Sequence, residues 1–291
     1  MKLVTWRGPA RVATMVLMTT LMMVGVLLAG AWGQNAAPPA AAPAAGAPAP
    51  PVAGPTPQSA EEKAALQALA AALRNPATAS EQMDTALRQF QFRYPHSQYK
   101  ETLATVGMEF FRSHNDYART LEYGLEALKV NPKSLAVLVS LASIIPDRVR
   151  DTDLDRDDKL QEAESFDAQA LQLADTLPPV MNGQQLTPTQ LEQLKNIVRA
   201  DVHTSRGKIA ALRLQYPQAE AEYRLAIPLA DAESAALDYY RLALVQEAMK
   251  QYPAAQSSLD QALAGGAKNA TLQTLATAEK AKVTRLAAAK P

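Results

Sequence analysis

From Ser59 onward, apolar residues return every three or four positions, the period of one helical face. Leu191, Leu194, Val198, Val202, Ile209 and Leu212 keep that spacing over one long stretch. No run alternates apolar and polar residues with period two, so the pattern predicts helix after helix and no sheet. Punctuation agrees with the period. Ser59 with Glu62 forms a capping box, and Asn75-Pro76 stops the helix behind it. Thr78 with Glu81 opens a second helix, which ends at Tyr94-Pro95. Thr187-Pro188-Thr189-Gln190 is a further box, with proline at the first helical position. The region is rich in alanine and poor in β-branched residues, as helices prefer.

The chain ahead of Ser59 reads differently. Lys2, Arg7 and Arg11 precede an uncharged apolar run from Val12 to Ala31, and Ala29-Gly30-Ala31 fits a small-residue cleavage site. That layout predicts a secretory signal over 1–33. The run is also long enough to span a bilayer, so a retained inner-membrane anchor through residues 12–31 stays open beside cleavage. Both readings put the rest of the chain outside the cytoplasm, in the periplasm or beyond, because no charged residue intervenes between Arg11 and Glu61. Residues 34–58 form an Ala/Pro-rich linker; its prolines at 38, 39, 43, 48, 50, 51, 55 and 57 predict disordered, extended chain rather than a core.

Inside the helical region four segments align. Thr120, Ala163, Ala219 and Ala255 each have alanine seven positions later, at Ala127, Ala170, Ala226 and Ala262. Three positions before the first small residue stand Tyr117, Leu160, Tyr216 and Tyr252. Small residues seven apart lie two turns apart on one helix face, where they admit a close neighbour. Tyr216-Pro217-Gln218-Ala219 and Tyr252-Pro253-Ala254-Ala255 nearly repeat each other.

These residues resemble the tetratricopeptide repeat. Arg206-Gly207 through Ala226-Ile227 fits best, with Gly207 at the close crossing and then Tyr216, Ala219, Tyr223 and Ala226. Phe111, Tyr117, Ala127 and Pro132 fit in the first unit; Leu242, Ala243, Tyr252, Ala255 and Ala262 fit in the fourth. Phe92-Arg93-Tyr94-Pro95-His96-Ser97 is similar to a turn in tetratricopeptide proteins of the bacterial envelope. The anchors stand 43, 56 and 36 residues apart, against a family period of about 34. An insertion therefore comes after Ile145, an overlong helix precedes the third unit, and Pro228 should end or kink the third unit's second helix. The resemblance implies an all-α fold, an α-solenoid of antiparallel helix pairs over 59–289, with about ten or eleven helices and a polar last helix from Asn269.

Composition closes off several chemistries. Lys plus Arg and Asp plus Glu are equal at 29 each, so no basic excess points to nucleic acid. With no cysteine there is no disulfide, no thiolate metal site and no cysteine nucleophile. His96, His114 and His203 have no zinc-ligand spacing. Asp151 to Glu162 places oxygens as a calcium loop would, but Arg156 and Asp158 occupy positions that want glycine and an apolar residue, so helix capping explains the acids better. No nucleophile elbow, P-loop or dinucleotide fingerprint occurs, and the reading is of a non-enzyme without metal or cofactor.

In the resembled family the first helices of each pair line a concave groove that takes extended peptides or a partner helix. That register implies groove candidates at Thr105, Glu109, Arg112, Val139, Ser143, Thr204, Lys208, Tyr240, Leu244 and Glu247. The set mixes apolar and charged groups, which suits a protein or peptide partner. The function expected is an envelope scaffold for assembly of a larger machine; the alternative is a helical domain with an enzymatic or glycan-carrying role.

Overall fold

The computed structural model describes residues 57, 59–181 and 184–289. The segments read from the sequence as a secretory signal, 1–33, and as a linker, 34–58, lie outside the described residues apart from Pro57. Among the described residues the fold is all-helical, with eleven α-helices in antiparallel neighbouring pairs. In chain order they are α1 (Ala60–Arg74), α2 (Ser80–Arg93), α3 (Lys100–Ser113), α4 (Tyr117–Val130), α5 (Leu135–Ile144), α6 (Arg156–Asp175), α7 (Pro188–Leu212), α8 (Tyr216–Ala226), α9 (Ala232–Ala248), α10 (Tyr252–Gly265) and α11 (Ala270–Ala288). Val180–Met181 and Gln184–Gln185 make a two-residue antiparallel pairing between α6 and α7 in the chain. No helix among the described residues is long and apolar enough to cross a membrane.

Caps fall mostly where the sequence puts them. Ser59 Oγ accepts the Glu62 N–H at 3.0 Å, Thr187 and Gln190 close a reciprocal box, and Asn269 caps α11 through Leu272 N–H. Thr78 differs. Its hydroxyl donates back to the Ala72 carbonyl at 2.8 Å, so it ties the end of α1, and α2 starts only at Ser80. Pro228 lies in a short 3-10 turn, Ile227–Leu229, that terminates α8.

The described chain forms two compact units, 59–137 with 178–186, and 138–177 with 187–289; the boundary falls within α5. In the first unit, Met83, Leu87, Met108, Phe111 and Tyr123 are fully buried. The rings of Phe111 and Tyr123 stack at 5.1 Å, and the Tyr123 hydroxyl donates to Asp84 at 2.9 Å. In the second unit, α9, α10 and α11 share a core of Tyr240, Leu244, Leu259, Leu272, Ala276 and Val283.

The eight small positions aligned in the sequence are all at most 1% exposed: Thr120, Ala127, Ala163, Ala170, Ala219, Ala226, Ala255 and Ala262. Two glycines mark the tightest crossings. A Cβ on Gly207 would lie 2.6 Å from the Tyr223 ring, and one on Gly107 would lie 2.9 Å from the Tyr123 ring. The α3–α4 and α7–α8 pairs are thus closed the same way, a glycine of one helix against a tyrosine of the next. In the α9–α10 pair the corresponding residues are Ala243 and Leu259, both fully buried; the smaller partner leaves room for a methyl.

The turns of these three pairs also repeat. Asn115, Leu214 and Lys250 each hold a left-handed backbone, with φ of 61°, 59° and 61°. Each N–H bonds back to the carbonyl three residues earlier, and the next N–H bonds back five residues: Asp116 to Phe111, Gln215 to Ala210 and Gln251 to Gln246, at 2.8–2.9 Å. That is the two-bond ending that satisfies the last carbonyls of a helix and reverses the chain. Tyr117, Tyr216 or Tyr252 then starts the next helix two residues on.

Candidate functional site

The densest group of interior charges lies on α5, α7 and α9 of the second unit. In α7, Thr204 and Lys208 sit four apart on one face, opposite the apolar Val198, Val202 and Ile209. Lys208 is 8% exposed. Its ammonium donates to the Ser143 carbonyl at 2.9 Å and pairs with Asp147 at 3.0 Å. The Thr204 hydroxyl donates to Asp238 at 2.7 Å, and Arg241 pairs with the same carboxylate at 2.7 Å from three residues along α9. Asp238 is 1% exposed.

Burial sets the electrostatics. It pulls the Lys208 pKa below the usual lysine range, against the pull of Asp147. It pushes Asp238 up, while Arg241 and the Thr204 hydrogen bond act to keep it ionised. Arg241 also loses solvation, but Asp238, Tyr223 and Asp147 together outweigh that loss and its pKa rises. The buried Tyr223 phenol, near the same charges, is raised chiefly by burial. Asp238 meets a cation and a hydroxyl, and Lys208 a carboxylate and a carbonyl, so the cluster works as a cross-link of three helices. A buried pair of this kind fixes register more than it adds stability.

Nine of the ten sequence candidates fall into three groups, and Val139 stands apart. Ser143, Thr204 and Lys208 come together in this cluster, through Asp147, Asp238 and Arg241, which sequence reasoning missed. The available signal was a polar stripe at 201, 204 and 208 with an i, i+3 acid–base pair at 238 and 241. Thr105, Glu109 and Arg112 belong to the first unit. There Glu109 is 4% exposed and bound to Arg112 at 2.5 Å, and Thr105 and Arg112 are half-buried. Val139 is a core residue, 2% exposed.

Tyr240, Leu244 and Glu247 form the third group, and the first two are corrected from groove candidates to core residues. Both are 8% exposed and belong to the core that α9 shares with α10 and α11. The reason is α11. Leu272, Ala276 and Val283 seat this helix against its neighbours, and Lys282 binds Glu247 at 2.6 Å and Glu279 at 2.8 Å. Spacing along α9 gives its faces but not which of them a later helix covers.

The acidic insertion is tied up locally. Arg156 pairs with Asp157 and donates to the Leu212 carbonyl, Lys159 bonds Asp155 at 2.9 Å, and α6 begins at Arg156. The loop's second half is therefore helix. Among the described residues no group of three His, Asp or Glu side chains is placed to hold a metal ion. His203 bonds Glu222 at 2.7 Å between α7 and α8. The chain matches no family model, no curated protein and no solved structure.

Proposed function

We propose that this chain is an exported scaffold of tetratricopeptide type, which holds a protein or peptide partner in the cell envelope along the first helices of its repeats. The observation that carries the reading is the thrice-built helix pair. A left-handed turn residue, an aromatic helix start and buried small residues recur in α3–α4, α7–α8 and α9–α10. A chain that repeats one helix pair extends by stacking pairs, and a stacked array offers a long surface rather than one reaction centre. The α-solenoid is thus our extrapolation from pair to array. The charged, uncharged-apolar and Pro-rich order of residues 1–58 supports export.

Burial of Lys208, Tyr240 and Leu244 narrows the surface. Thr105 and Arg112 on α3 keep partial exposure and are the groove residues proposed for contact. Export is tested with a reporter fused after Pro57, which should be active outside the cytoplasm only; activity in the cytoplasm would remove the first premise. Partner contact is tested by Thr105→Arg, which leaves the Arg112 partner of the buried Glu109 in place and should release a co-purifying envelope protein without altering the circular dichroism of the scaffold.

A further inference from the structure

Asp167 lies in the middle of α6 with its side chain fully buried, and neither carboxyl oxygen has a hydrogen-bond partner. Native interiors rarely leave a buried carboxyl in that condition. The Ser205 hydroxyl on α7 bears on the carboxyl, but its hydrogen goes to the Ala142 carbonyl at 2.9 Å. Three charged groups face Asp167. Glu164 is on its own helix and is engaged with Arg213; Arg206 and Lys208 are on α7, and Lys208 is engaged with Asp147 and Ser143.

An ionised carboxylate here would stand in low dielectric with no donor settled on it while Ser205 serves Ala142, which is the costly form; the neutral acid is the cheap one. As the neutral acid it also gains an O–H, which the Ser205 oxygen can accept because that oxygen's own hydrogen is committed elsewhere. Burial outweighs the pull of Ser205, Arg206 and Lys208 and raises the Asp167 pKa to about 8.

We propose that Asp167 makes the pairing of α6 with α7 proton-dependent: closed around the neutral acid, and opening as the acid ionises. In an opened state the carboxyl is solvated and titrates at its ordinary value of 3.8, so between there and about 8 the closed state holds one more proton than the open state. Opening therefore becomes about tenfold easier for each pH unit across that window and levels off above it. The helix released is α7, whose Thr204 and Lys208 tie α5 to α9, so a proton lost at one carboxyl loosens the cross-link of the unit.

Hydrogen exchange on the full chain tests this, read as protection factors so that the intrinsic pH dependence of exchange cancels. Protection of α6 and α7 should fall about tenfold per unit from about pH 5 to about pH 8. In Asp167→Asn, which keeps shape without the charge, it should be flat. A flat profile in the wild type, or the same slope in the variant, overturns the proposal. Should the variant not fold, infrared spectroscopy of the wild type decides. A protonated-carboxyl C=O band present at about pH 6, lost by about pH 9.5 and retained in Asp238→Asn supports it; absence of that band at the lower pH, or its loss in Asp238→Asn, overturns it.

Discussion

Leu214 and Lys250 occupy left-handed turn positions where helices usually place glycine, and both are exposed. A side chain there costs roughly 1–2 kcal/mol, while glycine costs roughly 0.5–1 kcal/mol through a freer unfolded chain. Leu214→Gly and Lys250→Gly should therefore each stabilise the protein by about 0.5–1 kcal/mol in urea titration. The interior pair predicts an asymmetry instead. Asp147→Ala strands a buried ammonium and should cost about 3–5 kcal/mol. Lys208→Met leaves Asp147, whose side chain is 28% exposed and can hydrate, so its cost should be clearly smaller. Equal losses in chemical denaturation would mean that the two charges do not depend on each other as the geometry implies. Asp147 was not visible as a site in the sequence, because it is an ordinary charge in a turn until the fold brings α7 to it, and Asp238 showed only as half of an i, i+3 pair with Arg241.

The helices and their pairing were legible at the level of elements. Boundary residues such as Ser59, Asn75, Thr187 and Pro228 announced themselves because capping is local chemistry. The small positions were legible for the same reason, since a close crossing has to be written into both turns of one face. Gly107 and Tyr123 carry no such signature although they duplicate Gly207 and Tyr223; the match is about geometry, and their neighbours in sequence differ. The cover that α11 lays on α9 is a long-range outcome, which is why Tyr240 and Leu244 read as anchors. Two predictions separate these. Ala255→Leu should overpack the α9–α10 crossing, at a cost of about 1–3 kcal/mol in thermal or chemical melting. Tyr240→Ala with Leu244→Ala should cost at least about 4 kcal/mol, as core truncations do, rather than leave stability intact as surface changes would.

At the scale of the whole molecule, a repeated helix pair follows a segment that reads as an export signal and a Pro-rich stretch, and the scaffold proposed above rests on that combination. The surface open to a partner is narrower than the sequence alone suggested. Half of the groove candidates are buried, namely Glu109, Val139, Lys208, Tyr240 and Leu244, and an interface needs reachable side chains. The partly exposed face of α3 remains. A photoreactive amino acid placed in turn at Thr105 and Arg112, with Glu122 on α4 and Arg224 on α8 as exposed controls on second helices, asks the question in the living envelope. A partner held along the first helices predicts a discrete adduct with one protein from the α3 positions, suppressed by excess unlabelled scaffold, and none from the controls. Adducts of equal yield from all four positions, or from none of them, would contradict it.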